Sequence, residues 1–403
     1  MRASRRCFPD SGPGASPICA RRPSLAHFDP LAAEWTDVVV APRLHSGLGL
    51  GYSAARDRAP GSEICPYRPS DDTYALVLAG LFLGATVFTG VHHAEVLALK
   101  LGEPFGSILL AVAVTVIEAG LIVSIMVAGA EGSERIARDT VFAAVMIVLN
   151  GVVGLCLVLG ARKHFEQTFQ LQGAASALAV LGTLATLALI LPNFAEAASG
   201  PSYSILQLEG IGLTSVVLWC VFVFVQTVKY RDYFLDGPGY DDSGDALHNA
   251  PGILTLVLSL VLLVVSLAAV VLLAKTLSYP VDAAIAAAGL PKAFVGVVIA
   301  LIVLMPEGLA AVKSTLRNQL QNSINLALGS AIASIGLTIP TVAVVSIVLN
   351  RQIALGVSPT DMTLLLLTLY IAALTLGTGR TTVLQGAVHL VIFAAFMLVS
   401  AGP

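Results

Sequence analysis

The sequence predicts an all-α polytopic membrane protein with about ten transmembrane helices in two inverted five-helix repeats. Its mean hydropathy of +0.86 and its 12% of charged residues separate it from soluble domains, in which about 25% of residues are charged. After residue 72, ten apolar segments are each about long enough to cross a bilayer. The second and seventh segments are near-copies, and five helices per copy invert the second copy relative to the first.

The chain divides at about residue 72. Residues 1–72 are rich in Arg, Pro, Gly and Ser without an apolar run of spanning length, which predicts a poorly ordered tail. Residues 73–228 and 252–403 are the two predicted repeats, joined by residues 229–251. The predicted segments are 73–92, 105–128, 139–160, 174–192, 210–228, 252–274, 293–312, 322–349, 361–376 and 383–401.

The loops between the segments indicate an orientation in the membrane. Short loops on the cytoplasmic side of a membrane are enriched in Lys and Arg. The loops after segments 1, 3, 5, 7 and 9 carry eight such residues: Lys100, Arg162, Lys163, Lys229, Arg231, Lys313, Arg317 and Arg380. The other loops carry five, namely Arg135, Arg138, Lys275, Lys292 and Arg351. We therefore expect the first set, including the acidic loop 229–251, to be cytoplasmic. That loop is either a solvated linker or a weak cation sensor.

Each of the two near-copies holds one acidic residue at its centre. FGSILLAVAVTVIEAGLIVSIM contains Glu118, and FVGVVIALIVLMPEGLAAVKST contains Glu307. In both copies the carboxylate follows the opening phenylalanine by thirteen residues, which is about 20 Å along a helix and near the middle of the bilayer. A carboxylate at that depth costs at least a few kcal/mol, so the pair predicts an ion or proton path.

Further residues extend both the duplication and the predicted site. Glu95 and Asp282 each precede a glycine by seven residues, before the first and the second glutamate helix respectively, and we interpret them as gating or relay residues. Pro306 and Gly308 predict a break in the second glutamate helix, which would free carbonyls such as those of Val303 and Leu304. Further oxygen donors to a cation are predicted at Thr115, Asn150, Leu304, Ser330 and Ser334. Helix packing is the alternative role of Asn150, Ser330 and Ser334.

Four stretches of the sequence resemble one known family. They are HAEVLALKLGEPFGS, ARDTVFAAVMIVLNGVVG, MPEGLAAVKSTLRNQLQNSINLALGSAIASIGLTIP and TGRTTVLQGAVHLVIFAAF. They resemble the bacterial calcium/proton antiporters of the ChaA type, within the cation/calcium exchanger superfamily, over most of residues 73–401. The resemblance implies ten core helices in inverted repeats, with Glu118 and Glu307 at the positions of the paired cation-binding acids. It also implies exchange of Ca²⁺ for H⁺ by alternating access across the bacterial inner membrane.

The sequence departs from the wider family beside both glutamates. Val114 and Thr115 replace a Gly-Asn pair, and Gly308 replaces a histidine. These departures leave Na⁺ and K⁺ open as alternatives to Ca²⁺. An intramembrane enzyme that uses the glutamates as acid and base, and a passive channel, are more remote alternatives. No cofactor is expected beyond the transported ions, and scattered Lys and Arg exclude nucleic acid as a partner.

Overall fold

A computed structural model describes residues 69–101, 105–129, 132–196, 200–235 and 252–402. The predicted tail before residue 69 and the acidic residues 236–251 lie outside these described residues. Ten helices in the described part are long and apolar enough to cross a membrane. The predicted fold class, an all-α polytopic membrane protein, is therefore confirmed.

We number the membrane helices in chain order. They are α1 (Pro69–Leu101), α2 (Phe105–Ala128), α3 (Ser133–His164), α4 (Leu171–Phe194), α5 (Ile205–Lys229), α6 (Ile253–Ala287), α7 (Phe294–Leu316), α8 (Leu320–Val348), α9 (Pro359–Leu376) and α10 (Val383–Ala401). Two short strands, β1 (Gln167–Thr168) and β2 (Arg380–Thr381), pair antiparallel between the α3–α4 and α9–α10 loops.

Two helices extend furthest beyond the segments that the sequence predicts. Helix α1 runs to Leu101 rather than residue 92, and α6 runs to Ala287 rather than residue 274. Hydropathy locates the apolar part of a helix, but polar residues do not end a helix where it leaves the hydrocarbon. Glu95 and Asp282 therefore lie within helices rather than in linkers.

Several helices begin at a residue whose side chain caps the N-terminus of the helix. At the start of α5 and α10, Ser204 and Thr382 each form a capping box with the glutamine three residues later. The Ser358 hydroxyl accepts a hydrogen bond from the Asp361 N–H at the start of α9. Beside α5, the Tyr203 hydroxyl donates to the Leu187 carbonyl at 2.7 Å. Burial raises the pKa of Tyr203 to about 12, so this hydroxyl stays a donor at neutral pH.

Four helices form the interior of the bundle. About half or more of the most apolar window of α2, α3, α7 and α8 is buried, at 61%, 78%, 50% and 61%, against 22% for α1, α6 and α10. The two glutamate helices, α2 and α7, are thus central. Helices α1 and α6 pack mainly on each other and on α2.

Contacts between the helices repeat when each helix is exchanged for its counterpart five helices on. Helix α3 packs closely on α10, where a Cβ at Gly386 would lie 2.8 Å from the Gly154 carbonyl oxygen. In the other repeat, α8 packs on α5, where a Cβ at Gly336 would lie 2.9 Å from the Trp219 Cβ. Exchanging α3 for α8 and α10 for α5 converts one contact into the other, as inverted repeats require.

Contacts at the C-terminal ends of α2 and α7 are also repeated between the two halves. Lys163, in the last turn of α3, donates to the Leu316 carbonyl at the end of α7 (2.8 Å). Arg351, after α8, donates to the Met126 carbonyl near the end of α2 (3.1 Å). A cation at a helix C-terminus is favourable because it meets unpaired carbonyls and the negative end of the helix dipole. Each repeat therefore anchors the glutamate helix of the other.

Candidate functional site

Glu118 and Glu307 are both buried in the interior of the bundle. Glu118 is 2% exposed to solvent and Glu307 is 4% exposed. Among the described residues, neither carboxylate forms a salt bridge with Lys, Arg or His. Compensation of two buried negative charges must therefore come from outside the described protein groups, by protons or by a bound cation.

Both carboxylates are hydrogen-bonded to the same helix. The Ser334 hydroxyl donates to Glu118 Oε1 at 2.8 Å, and the Ser330 hydroxyl donates to Glu307 Oε2 at 2.5 Å. The two serines are four residues apart on α8, which is one turn or about 6 Å along the axis. Helix α8 thus brings the acids of the two repeats together.

One carboxylate oxygen of this site has no protein partner. Glu307 Oε1 is fully buried and makes no hydrogen bond within the described residues. Burying an acceptor without a partner costs about 1–3 kcal/mol. This oxygen is therefore the atom of the site most available to a proton or a cation.

The backbone beside the site contains paired irregularities. A π-helical segment, Ser334–Thr338, interrupts α8 and begins at the serine that contacts Glu118. Helix α3, the counterpart of α8, contains a second π-helical segment, Ile147–Val152. Such segments are frequent at functional sites because their wider turn changes the direction of side chains. Asn150 and Gly151 lie in the first segment, Gly336 lies in the second, and Pro340 follows the second by two residues. These residues alone do not distinguish a π segment from ordinary close packing.

The predicted break at Pro306 and Gly308 is wrong. Helix α7 is a continuous α-helix from Phe294 to Leu316 with Pro306 inside it. A proline removes only the hydrogen bond of its own N–H, whose acceptor four residues earlier is the Ile302 carbonyl. The carbonyls of Val303 and Leu304 are not released by the proline, so the prediction of Leu304 as a ligand loses its physical basis.

The hydroxyl of Thr115 is close to Glu118 in sequence but has its own partner. It is 2% exposed and donates to the Ala111 carbonyl of the same helix at 2.8 Å. Thr115 and Glu118 are three residues apart and therefore share a face of α2. The hydroxyl oxygen of Thr115 can still accept or coordinate, and its role as a ligand stays a prediction.

Asn150 belongs to a second buried polar cluster, formed with residues of α9 and α10. Its Nδ2 donates to the Thr368 hydroxyl at 2.9 Å, and its Oδ1 lies 3.0 Å from His389 Nδ1. Because Oδ1 only accepts, Nδ1 carries the proton in this arrangement, and Nε2 accepts from the Thr375 hydroxyl at 3.2 Å. The predicted ligand Asn150 is thus bonded to α9 and α10, and its amide makes no hydrogen bond with either glutamate among the described residues.

This cluster predicts the effect of removing the Asn150 side chain. We expect Asn150→Ala to lower the free energy of unfolding by about 1–3 kcal/mol, because the buried Nδ1–H of His389 loses its acceptor and the buried hydroxyl oxygen of Thr368 loses its donor. Thermal unfolding in detergent measures the change. The matched control is Asn193→Ala, at a partly exposed asparagine with one bond to the Val357 carbonyl. If transport is lost while the unfolding midpoint is unchanged, Asn150 acts as a ligand and not through packing.

The predicted relay residues lie elsewhere. Glu95 is exposed on α1. Asp282 lies in α6, and its side chain is outside the described part of the structure. Between these helices, His93 Nδ1 lies 3.4 Å from the Ser259 hydroxyl. The gating or relay role of Glu95 and Asp282 stays a prediction.

Inverted repeats that bring two buried carboxylates to one central helix define an integral membrane transporter of ions. The family model described as sodium/calcium exchanger protein matches residues 73–228 and 258–402. The chain belongs to this family, within the cation/calcium exchanger superfamily, as the sequence predicts.

Two relatives and a solved structure are similar over most of the chain. An Escherichia coli protein named sodium-potassium/proton antiporter ChaA is 34% identical, over 80% of this chain and 87% of its own. The Sinorhizobium fredii protein y4hA, provisionally described as an ionic transporter, is 60% identical, over 81% and 88%. The crystal structure of the H⁺/Ca²⁺ exchanger CAX has the same fold, with a TM-score of 0.63, 14% identity and 81% of both chains covered. These relatives are transporters, which excludes the alternative of an intramembrane enzyme.

Proposed function

We propose that the chain exchanges a cation for protons, and that Glu118 and Glu307 bind the two in turn. One observation carries the proposal: both buried carboxylates are bonded to serines one turn apart on α8 and lack a basic partner among the described residues. A site with two uncompensated negative charges is costly. Protons and the cation therefore compete for the same oxygens, and neither leaves without replacement.

We infer that Ca²⁺ is the cation. Two carboxylates match its charge and supply up to four of the six to eight oxygens it takes. The unpartnered oxygen of Glu307 and the hydroxyl oxygens of Ser330 and Ser334 lie at the same site. The charge balance gives two protons for each Ca²⁺.

A monovalent cation is the second candidate, and a specific observation favours it. The 34% identical relative from Escherichia coli is named a sodium-potassium/proton antiporter. Na⁺ or K⁺ would neutralise only one of the two carboxylates, so the second would keep a proton while the cation is bound. The two candidates thus differ in the number of protons exchanged per cation.

We infer that access alternates through movement of α1 and α6 against the interior helices. These two helices are long, mainly lipid-facing and packed on each other through small side chains, including Gly90 beside Ser266. The Ser124 hydroxyl donates to the Val271 carbonyl at 3.4 Å and joins α2 to α6. A contact made through small side chains and a lipid-facing outer surface are suited to sliding of the pair. We assign the protein to the bacterial inner membrane, with the α7–α8 loop cytoplasmic.

A proton-flux assay in everted membrane vesicles tests the function and identifies the cation. Ca²⁺, Na⁺ and K⁺ are added separately to vesicles that hold an acid interior. We expect Ca²⁺ to dissipate the proton gradient, with two protons moved per Ca²⁺. A response to Na⁺ or K⁺ alone, with one proton per cation, would replace Ca²⁺ by the monovalent ion and leave antiport standing. No response to any cation would contradict antiport.

A further inference from the structure

Three buried hydroxyl groups follow one another along α8. Ser330, Ser334 and Thr338 are four residues apart and therefore lie one above the other on the helix. They are 2%, 1% and 0% exposed. The first two hydroxyls donate to Glu307 and Glu118, so the row begins at the candidate site and continues past it toward the loop at residues 349–358.

Thr338 differs from the other threonines of the membrane helices. Thr115, Thr341 and Thr363, for example, donate their hydroxyl to the carbonyl four residues earlier at 2.7–2.8 Å. The Thr338 hydroxyl is fully buried and has no hydrogen-bond partner within the described residues. It closes the π-helical segment Ser334–Thr338, where backbone bonds span five residues rather than four and the usual acceptor is displaced.

A second unpartnered hydroxyl lies on the neighbouring helix. Thr140 of α3 is 0% exposed and also lacks a partner in the described part of the chain. The first part of α3, Ser133–Met146, packs against the π-helical segment of α8. Both threonines are in the half of the membrane that ends at the loop 349–358. Two buried orphan hydroxyls in one region indicate a ligand that supplies their missing interaction.

The loop at residues 349–358, toward which the row of hydroxyls runs, lines a cavity. Its volume is about 660 Å³, and its lining includes Arg138, Gln352 and Ser358. Arg138 is paired with Asp139, next to Thr140, at 2.7 Å and donates to the Gly356 carbonyl at 2.9 Å. The positive charge of Arg138 at this mouth is thus compensated by the Asp139 carboxylate. It therefore does not prevent a cation from entering.

We propose that Thr338, with Thr140, forms a transit subsite for the transported cation between Glu118 and the mouth at residues 349–358. The inference rests on the proposed function, since it needs a cation that crosses. A hydroxyl oxygen replaces one water of the hydration shell and adds no charge, so it binds the ion without trapping it. The buried hydroxyl costs stability when the subsite is empty, and the passing cation supplies the interaction.

Replacing Thr338 by valine tests the subsite, because valine keeps the shape and removes the oxygen. Initial rates of exchange are measured with Ca²⁺, Na⁺ and K⁺ added to the 349–358 face and, separately, to the opposite face. An epitope tag after Pro403 identifies vesicles that present the 349–358 face, since α10 ends on that side. We expect Thr338→Val to raise the KM of the cation about tenfold from that face, the effect of one lost ligand. From the opposite face the KM stays within about twofold.

Two further variants separate a ligand from a packing residue. Thr338→Ser keeps the hydroxyl and should restore the wild-type KM. Thr341→Val is the matched control, because the Thr341 hydroxyl is exposed and already donates to the Leu337 carbonyl. Thr338→Val should unfold at the same temperature as the wild type or higher, since it removes an unpaired buried hydroxyl.

Each remaining outcome overturns the inference in a distinguishable way. An unchanged KM from both faces means that the Thr338 hydroxyl binds nothing. An equal loss from both faces together with a lower unfolding temperature means that Thr338 is structural. If the wild type itself shows no cation-driven proton flux, the proposed function fails, and the subsite fails with it. Wild-type exchange with an unaffected Thr338→Val rejects the subsite alone.

Discussion

Glu307→Gln and Glu118→Gln should each reduce cation/proton exchange by at least about 100-fold, because losing one of two buried charges that hold a cation costs several kcal/mol. Glutamine has the size of glutamate and accepts a hydrogen bond, so the contacts with Ser330 and Ser334 can be kept. It neither carries a negative charge nor takes up a proton at neutral pH. The substitution therefore removes the exchange chemistry with little change in shape.

Proton flux in everted vesicles measures this loss, with the amount of protein in the membrane determined by immunoblot. Glu209→Gln is the matched control, because Glu209 also lies in a membrane helix, α5, but is exposed. It should exchange at the wild-type rate. Wild-type exchange by either of the two buried variants would show that the assignment of the site to this pair is wrong.

Both glutamates are expected to be necessary because of the inverted repeats. Each repeat contributes one acid, and both acids are bonded to α8 of the second repeat. If the cation used one carboxylate only, one variant would fail and the other would retain exchange. Loss in both variants distinguishes a shared site from two parallel paths.

The fold was predictable because a bilayer imposes long apolar runs on the chain. Ten such runs predict ten helices. The glutamate repeated in the second and seventh runs indicates five helices per repeat, and this odd number predicts the inversion. The helix ends were less predictable. Helix α1 continues to Leu101 and α6 to Ala287, since residues that leave the hydrocarbon remain helical where they pack on a neighbour.

Part of the site was predictable from residue type alone. Ser330 and Ser334 stand out as hydroxyls on a small-residue helix after the second glutamate, and both are bonded to the acids. Asn150 has the same sequence signature, but its amide is bonded to His389, which lies 239 residues away in the chain. Contacts between residues so far apart in the chain depend on tertiary packing. The spacing of residues along one helix does not predict them.

The error at Pro306 has a similar origin. Sequence reasoning associates proline with a broken helix, whereas in a packed membrane helix the loss is one hydrogen bond. The irregularities near the site are instead the π-helical segments in α3 and α8, of which the second is followed after two residues by Pro340. The segment in α3 lies where α3 packs on α10, and this contact is again a property of the folded bundle.

Gly296→Val should lower the free energy of unfolding by about 3 kcal/mol or more, at the upper end of overpacking effects. Gly296 lies in the first turn of α7, against α3. A Cβ there would lie 2.8 Å from both the carbonyl carbon of Asp139 and the backbone nitrogen of Thr140. Backbone atoms of a buried helix do not rotate away as a side chain does. The two helices must therefore separate, and the packing along the contact is lost with them.

Thermal unfolding in detergent, followed by loss of the monodisperse peak, measures this effect. Gly182→Val in α4 is the matched control, since a Cβ at Gly182 would have no atom within 4 Å. Its unfolding midpoint should stay near that of the wild type. Because α7 also carries Glu307, the folded fraction of Gly296→Val should exchange cations more slowly per molecule than Gly182→Val. An unchanged midpoint for Gly296→Val would mean that α3 and α7 do not need to approach this closely, and the carboxylate of Glu307 would then owe its position to α8 alone.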